Sequence, residues 1–343
     1  MLGRILNGIA GIGLVIFTSG CNIEAPRPRM GTLPTPPPGP RFADPNNLGK
    51  HSYHFSPFEI NAIVYTCKAG HLDITHIRWN ADHTRYLINK TRKALMEKDE
   101  GFTFSLSLEL SQHKVKFGYP EYWDRLSHKE KEIIAERIAF EVGPYLAFNA
   151  TLWHEILTWF GVHFIGVEPE FNSSFSWEDV YSNLLGTKLA VEALKDTKHR
   201  YNKATTLAID RKLKELGPQP RSIAIYASEK MRGKWYNGYL LVDTIRRNMD
   251  IGLDDGYITP VLVPGICDDA EPELLAVPTT DILSKYGFSM EYEVRPYEWE
   301  RGKILKVIYP DGQDGKVEPA KHFPIYMEYI KKQAVEKYHY IID

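Results

Sequence analysis

A histidine and a glutamate stand side by side in LWHEILTWFGVH, residues 152–163. A zinc-peptidase helix begins in the same way, with a metal-binding histidine followed by a glutamate that acts as general base. That motif needs a second histidine four residues after His154, where this chain has Thr158. Because a neutral hydroxyl is a poor zinc ligand, the sequence predicts that any metal at His154 takes its other ligands from elsewhere in the chain.

Two further segments carry ionisable residues among apolar ones. In GHLDITHIRWNADHT, Asp73 and His76 are three residues apart and therefore lie on one face of a helix. In SSFSWEDVYSNLLG, Glu178 and Asp179 lie in the first turn of another predicted helix, and Asn183 follows one turn later. The helix that carries His154 is itself strongly apolar, so its His–Glu pair needs polar partners from other segments.

One interpretation is a catalytic metal site assembled from three helices. Zinc in such sites takes three His or carboxylate ligands and keeps one position open for water. The sequence offers His76, His154 and either Glu178 or Asp179 as ligands for zinc or another divalent metal. Glu155 would then be the general base that takes the proton of the bound water. The residues expected to support this site are Asp73, Arg78, Asp82 and Asn183.

The same residues have structural interpretations. Arg78 and Asp82 are four residues apart, which is the spacing of an ion pair within one helix. Carboxylates such as Glu178 and Asp179 are favoured at a helix N-terminus by the helix dipole. A lone buried histidine is more often hydrogen-bonded than bound to a metal. Spacing alone leaves both interpretations open.

The predicted elements place these residues in a helical centre. The segment from Leu72 to Lys98 contains neither Gly nor Pro and predicts a long helix. Ser127 and Glu130 have the spacing of a capping box. The helix that they begin is expected to break or kink at Gly143–Pro144 and to resume over residues 145–160.

Strands are predicted on both sides of this centre. Alternating apolar and polar residues around Ser111–Gln112 indicate a hairpin. Residues 292–315 read as strands with turns, followed by a last helix over 324–338. The predicted fold class is therefore α+β, with a helical central bundle, a β-hairpin and a smaller strand-containing C-terminal part.

The N-terminus predicts export. Residues 1–20 have the positive start, short apolar run and small final residues of a lipoprotein-type signal peptide, and Cys21 is the predicted lipidation site. Residues 21–50 are rich in proline and predict a tether that keeps an extended geometry. Residues 51–343 are predicted to form one globular domain, with a weakly marked boundary near residue 220.

Composition restricts the partners. A formal net charge of −2 and the lack of a Lys/Arg run give no reason to expect nucleic acid. The expected partner is a membrane, reached through the lipid on Cys21, and the expected location is the bacterial cell envelope, facing the periplasm or the outer surface. Cys67 and Cys267 could form a disulfide there or remain separate buried thiols.

Four segments in this order resemble a family of bacterial predicted lipoproteins known as domain of unknown function 4056. They are YTCKAGHLDITHIRWNAD, LWHEILTWFG, SSFSWEDVYSNLLG and KWYNGYLLVDTIRRNMDIGLDDGYITPVLVPG, and the resemblance covers residues 51–264. It implies an envelope location and one pocket that the family shares, but no reaction. The motif positions that it implies are Asp73, His76, Arg78, Asp82, His154, Glu155, Ser174, Glu178, Asp179, Tyr181, Asn183, Arg247, Asn248 and Asp250. His71 and Tyr236 depart from the family pattern.

Three functions compete at this point. The first is a metal-dependent hydrolase anchored to the envelope, with Glu155 and a metal activating water. The second is a hydrolase or acyltransferase that uses Cys67 as its nucleophile, with His71 or His76 as base. The third is a non-catalytic binding or scaffold lipoprotein, in which the polar residues form a buried hydrogen-bond network.

Overall fold

A computed structural model gives the fold of the chain. It describes residues 23–29, 31, 33–35, 41–107, 109–161, 173–238, 242–312 and 315–342. Helices and several small sheets alternate along these ranges, which confirms the predicted α+β class. The predicted signal peptide and Cys21 lie outside the described residues.

Eight helices are present in the described ranges. In chain order they are α1 (Ile74–Glu97), α2 (His128–Trp159), α3 (Asp179–Lys195), α4 (Tyr201–Glu215), α5 (Arg221–Lys230), α6 (Asp281–Lys285), α7 (Arg301–Ile308) and α8 (Pro319–Glu336). A short 3-10 helix, Trp123–Arg125, precedes α2. Within these ranges no helix is both long and apolar enough to cross a bilayer.

Helix α1 lies at the centre, packed between α2 and α3. Its approach to α3 is close, because a methyl group at Gly186 would lie 2.4 Å from the carbonyl oxygen of Ile77. The helix therefore buries polar side chains on faces that a surface helix would expose to water, Arg78, Asn80 and Asp82 among them. Each of these groups must find its partner inside the protein.

Helix α2 runs without interruption through Pro144, where the sequence predicts a break or kink. Gly143 explains the choice of residues at this point, since a methyl group there would lie 2.4 Å from Cγ1 of Ile88 on α1. The capping box is confirmed: the Ser127 side chain accepts from the backbone of Glu130, and the Glu130 side chain accepts from Ser127. The result is one 32-residue helix that carries His154 and Glu155 near its end.

Two three-stranded sheets flank the helices. The first has the order β2 (Gly70–Asp73), β1 (Ile63–Thr66), β5 (Pro218–Gln219), and the second has the order β11 (Ser289–Arg295), β4 (Gln112–Gly118), β3 (Gly101–Phe104). All their strand pairs are antiparallel. Strand β2 ends at Asp73, directly before α1, so the first sheet fixes the start of the central helix.

The remaining strands form two-residue pairs. They are β6 (Tyr236–Asn237) with β7 (Asp243–Thr244), β8 (Arg246–Arg247) with β12 (Ile341–Ile342), and β9 (Tyr257–Ile258) with β10 (Leu275–Ala276). The largest core cluster includes residues from Ala43 to Ala334, so both sides of residue 220 contribute to it.

Two predicted elements differ from the structure. The hairpin exists, but β3 and β4 are joined by residues 105–111, and the strand expected before Ser111 is a loop. Residues 301–308, predicted as strand, form helix α7. In this helix Ile304 is buried and its neighbours along the chain remain accessible, as on an amphipathic helix.

The described residues between 23 and 35 pack against the domain; we call residues 23–29, 31 and 33–35 the N-terminal arm. The side chain of Ile23 contacts the main core, and Arg29 is 1% exposed. The hydroxyl of Tyr53 donates to the carbonyl oxygen of Glu24 at 2.6 Å, and Oγ of Ser228 donates to that of Pro34 at 2.5 Å. This part of the predicted tether therefore follows the protein surface.

Cys67 and Cys267 form a disulfide with a Cα–Cα distance of 5.3 Å across 200 residues of sequence. The bond joins the loop after β1 to the segment that precedes β10. Backbone hydrogen bonds hold the Cys67 side of this loop, since Cys67 N donates to the carbonyl oxygen of Gly217 at 2.9 Å. The disulfide therefore connects the N-terminal sheet to the C-terminal part.

Reduction of this disulfide is expected to destabilise the protein. Opening so long a loop increases the freedom of the unfolded chain, and loss of a native disulfide typically costs about 2–5 kcal/mol. Urea unfolding with and without dithiothreitol measures the change. A chain with both Cys67→Ser and Cys267→Ser should start at the lower stability and should not respond to the reductant.

Candidate functional site

Five ionisable side chains meet where α1, α2 and α3 come together, and we call them the His76 cluster. They are Asp73, His76, Glu155, Glu178 and Asp179. His76 lies in the first turn of α1, with its Nδ1 3.1 Å from Oδ1 of Asp179 and 3.8 Å from Oδ2 of Asp73. Asp73 is also the N-cap of α1 and accepts from the backbone of Thr75 at 2.6 Å. The cluster therefore contains four buried carboxyl groups around one imidazole.

A tight turn over residues 173–178 holds Glu155 in place. The backbone N–H of Phe175 donates to Oε2 of Glu155 at 2.8 Å, and Oγ of Ser174 donates to its carbonyl oxygen at 2.9 Å. Phe175 has a φ of 52°, the left-handed region that bulky residues rarely adopt. Such strain is commonest at functional sites, where surrounding contacts enforce it.

Residues in and next to β8 also form hydrogen bonds to the turn at residues 173–178. The carbonyl oxygen of Ser174 accepts a hydrogen bond from the guanidinium of Arg247, and the backbone of Asn248 donates to the carbonyl oxygen of Phe175 at 2.9 Å. Arg247 is fully buried, and its guanidinium lies 4.7 Å from the ring centre of Tyr340. Two positions implied by the family resemblance thus support the turn that binds Glu155.

Ser176 lies between two acidic side chains. Its Oγ is 2.8 Å from Oε1 of Glu178 and 2.9 Å from Oδ2 of Asp179. A hydroxyl has one proton and can donate to only one of them, so the other contact requires a proton on a carboxyl group. Burial, followed by the charge of Asp179, raises the pKa of Glu178 well above its ordinary value. The direction of this shift favours Glu178 as the group that carries this proton.

Glu155 titrates close to neutrality. Burial and then the charge of Asp179 raise its pKa to about 7, although His154, the Phe175 N–H and His76 oppose the shift. For His76, burial lowers the pKa, but the nearby Asp73, Asp179 and Glu155 outweigh it and raise the pKa to about 10. At pH 7 the site therefore combines an imidazolium with a carboxyl group that can gain or lose a proton.

Amide and hydroxyl groups tie the three helices together below the cluster. Nδ2 of Asn80 donates to Oδ1 of Asn183 at 2.7 Å, and Oγ1 of Thr151 donates to Oδ1 of Asn80 at 2.6 Å. Asn183 was expected from the sequence, whereas Thr151 was not. Thr151 precedes Glu155 by four residues, so the helical period that relates Asp73 to His76 would have pointed to it.

His154 faces away from this cluster. Its Nδ1 is 2.7 Å from Oε1 of Glu109, and its ring contacts Trp79 edge to face. Consecutive helix residues point in directions about 100° apart, so the side chains of Glu155 and His154 contact different parts of the protein. His154 contacts Glu109, whereas His76 contacts Asp179, so these contacts do not favour one metal bound by both histidines. Glu109 lies in the loop between β3 and β4, and no spacing in the sequence indicated it.

No metal-binding group is assembled in the described part of the chain. Three or more His, Cys, Asp or Glu side chains placed to hold an ion are not found there. The predicted ligands divide instead: His76, Glu178 and Asp179 lie together, and His154 lies with Glu109. Metal binding therefore stays a prediction.

Arg78 and Asp82, expected to support the site, belong to a neighbouring group that we call the Asp82 network: Arg29, His51, Glu59, Arg78, Asp82 and Tyr201. Oδ2 of Asp82 pairs with Arg29 at 2.8 Å, and Oδ1 lies 3.1 Å from Nε2 of His51. Arg78 donates to backbone carbonyls, including that of Ile60 at 2.8 Å. Asp82 thus pairs with the N-terminal arm, not with Arg78 four residues away.

The disulfide bears on the second function considered above. A cysteine acts as a nucleophile through its thiolate. The sulfur of Cys67 is bonded to Cys267 and has no thiolate in this state. In the oxidised chain Cys67 therefore cannot be the nucleophile, and its role is structural.

A family model described as Protein of unknown function (DUF4056) matches residues 42–250. No curated protein and no solved structure matches the chain. The matched range is more than half of the 343 residues and contains the whole His76 cluster, the turn that binds Glu155, and Arg247. The site therefore lies within the part of the chain that the family shares.

The raised pKa of Glu155 gives a testable dependence of stability on pH. Its folded-state pKa of about 7 exceeds the ordinary 4.5, so the folded protein holds a proton that the unfolded chain releases between these values. The stabilisation from this proton is complete below pH 4.5 and is lost as the pH rises through 7. Wild type is expected to lose roughly 3 kcal/mol relative to Glu155→Gln across this window.

Urea unfolding of both chains at pH 5 and pH 8 measures this difference. Glu141→Gln, an exposed position on the same helix, is the matched control and should follow wild type at both values. A Glu155→Gln chain whose stability relative to wild type does not change with pH would contradict the raised pKa.

Proposed function

Because the chain belongs to the DUF4056 family, whose description assigns no activity, we propose its function from the site: a hydrolase of the bacterial cell envelope that uses acid–base chemistry at the His76 cluster. The observation that carries the proposal is the position of Glu155, buried beside Asp179 and His76 with a pKa of about 7. General acid–base groups work best when their pKa lies near the operating pH.

The roles follow from the charges. In its ionised form Glu155 takes a proton from water, and the water oxygen forms a bond to the electrophilic carbon of an amide or ester. His76, held as imidazolium by Asp179, stabilises the negative charge that develops on the substrate oxygen. Glu155 then returns the proton to the leaving nitrogen or oxygen as its bond to carbon breaks. The peptide bonds of peptidoglycan and the ester bonds of lipids are envelope targets of this kind.

The orientation of His76 supports this assignment. Its Nδ1 faces Asp179, so Nε2 is the ring nitrogen left to donate to a substrate. His76 keeps 17% of its side chain exposed, whereas Asp73 beside it is completely buried. His76 is therefore the less buried member of this pair and the one that a substrate oxygen would contact.

A divalent cation is the second candidate for the electrostatic role. Oε2 of Glu178 is buried without a hydrogen-bond partner, which is the kind of oxygen that a cation or proton would satisfy. Imidazole and carboxylate donors suit zinc or manganese. Glu178 and Asp179 would hold such an ion, without His154, and His76 would join them only after losing its proton and moving closer, since the described side chains form no three-ligand group. The ion would act as a Lewis acid towards the substrate oxygen.

Three features support the envelope location. The sequence begins with the predicted lipoprotein signal and Cys21. The disulfide suits an oxidising compartment. Phe55 and Phe58 are 81% and 77% exposed near Tyr53, which binds the start of the N-terminal arm. Exposed aromatic side chains of this kind favour an apolar surface such as a bilayer.

Replacing Glu155 is expected to abolish hydrolysis. Wild-type protein is screened against peptides, peptidoglycan fragments and lipid esters, with product release measured by mass spectrometry. Glu155→Gln should lose at least about 100-fold in kcat, the contribution typical of one general base, and Glu141→Gln should not. The wild-type kcat/KM should rise with pH through about 7, because the base must be ionised.

The same assay decides between the two electrostatic roles. Activity that survives a chelator supports His76 alone, and activity that is lost and then restored by zinc or manganese supports the cation. A folded wild-type chain that hydrolyses none of these substrates would count against the hydrolase and favour a binding or scaffold lipoprotein.

Lipidation is tested separately in a bacterial host. Cys21→Ser is expected to move the protein from the membrane fraction to the soluble fraction, because residues 23–342, where the structure describes them, hold no helix able to cross a bilayer and the lipid is the predicted attachment. Ser19→Ala, which keeps a small residue before the cysteine, should leave it in the membrane fraction. Membrane retention of the Cys21→Ser chain would contradict the anchor.

A further inference from the structure

The N-terminal arm lies along α1 and covers the accessible edge of His76. Arg29 reaches Asp82, and two residues later Gly31 is so close that a methyl group there would lie 2.3 Å from Nε2 of His76. Asp82 and His76 are six residues apart, about 9 Å along the helix. Two residues of extended chain span about 7 Å. Because Arg29 precedes Gly31 whereas Asp82 follows His76, the described part of the arm runs antiparallel to α1.

A subsite of buried acceptors holds the guanidinium of Arg29, and the partly exposed Arg27 contacts the same oxygen of Glu59. Nη1 donates to Oε2 of Glu59 at 2.6 Å, while Nη2 donates to Oδ2 of Asp82 at 2.8 Å and to the carbonyl oxygen of Ser52 at 2.9 Å. The two carboxylate side chains are 1% and 0% exposed. Planar guanidinium matches such a fork of acceptors, whereas the ammonium of lysine does not. This subsite is therefore selective for arginine.

The arm is bound on either side of Arg29 through its backbone. The carbonyl oxygen of Glu24 accepts from Tyr53, and that of Pro34 accepts from Ser228. Oγ of Ser107 donates to the carbonyl oxygen of Pro26 at 3.3 Å. Contacts to main-chain carbonyls recognise an extended peptide whatever its side chains. The surface beneath the arm thus has the properties of a peptide-binding groove with one specific position.

We propose that this groove is the substrate groove of the His76 cluster and that the N-terminal arm is its internal occupant. A substrate peptide would place an arginine between Glu59 and Asp82 and a carbonyl group, two residues later, at Nε2 of His76. The arm must leave before such a peptide can bind, so it restrains the site. The role of the groove in catalysis rests on the proposed function, whereas the existence of the groove is inferred from the contacts of the arm alone.

Binding of the arm sequence in trans tests the proposal. A fluorescently labelled peptide of residues 23–35 is titrated into full chains that carry either Arg29→Ala or Gly31→Ala. The first change removes the guanidinium, and the second sets a methyl group against His76 while leaving Arg29 in place. Gly302→Ala is the matched control, because a methyl group there meets no atom within 4 Å.

Both arm variants are expected to bind the peptide at least tenfold more tightly than wild type or Gly302→Ala, in which the arm occupies the groove. A peptide with alanine in place of Arg29 should bind about 30-fold or more weakly, since Asp82 would lose its guanidinium partner and Glu59 would keep only Arg27 from the peptide. A peptide with lysine there should also be weaker than the arginine peptide.

Two results would overturn the groove: no binding by arm variants that circular dichroism shows to be folded, or equal binding by variants and wild type. Should Arg29→Ala fail to fold, Gly31→Ala decides alone, because it keeps Arg29. Mass spectrometry of the incubated peptide separates the two proposals. Binding without cleavage counts against the hydrolase and leaves the groove in place. Cleavage of other peptides, without binding of this one, counts against the groove.

Discussion

Burial of the first part of helix α1, residues 74–88, is the constraint on which the rest of the structure depends. Charged and amide side chains in such a segment need partners inside the protein, because desolvation without a hydrogen bond costs several kcal/mol. Asn80 is therefore met by α2 and α3, Arg78 by carbonyl groups of the preceding loop, and Asp82 by the N-terminal arm. These partners bring α2, α3, the preceding loop and the N-terminal arm into contact with α1.

Two sites along α1 satisfy this constraint differently. In the Asp82 network, guanidinium groups compensate both carboxylates: Arg29 pairs with Asp82 and Glu59, and Arg27 and Arg78 also contact Glu59. In the His76 cluster, four carboxyl groups surround one imidazole, and the imbalance is relieved by protons on Glu178 and Glu155. Balanced charges fix a structure, whereas groups that exchange protons near pH 7 are suited to chemistry. This difference separates the candidate site from its neighbour.

The limits of sequence reasoning here have a physical origin. Helical spacing predicted α1, the capping box and the placement of Asp73 and His76 on one face, since these depend on neighbours within one or two turns. It could not show that His154 pairs with Glu109 or that Asp82 pairs with Arg29, because residues 45 and 53 positions apart meet only through the tertiary fold. The error at α7 arose because a short apolar segment fits both periods.

Proline in the N-terminal arm reconciles its composition with its contacts. A proline-rich segment cannot build a core, which is why residues 21–50 predict a spacer, but it already favours an extended conformation before it binds. Docking then removes little conformational freedom, and a few strong contacts such as those of Arg29 are sufficient to hold it. Ile23, two residues after the predicted lipidation site, packs on the core. A lipid on Cys21 would thus place the arm, and through it His76, next to the membrane surface.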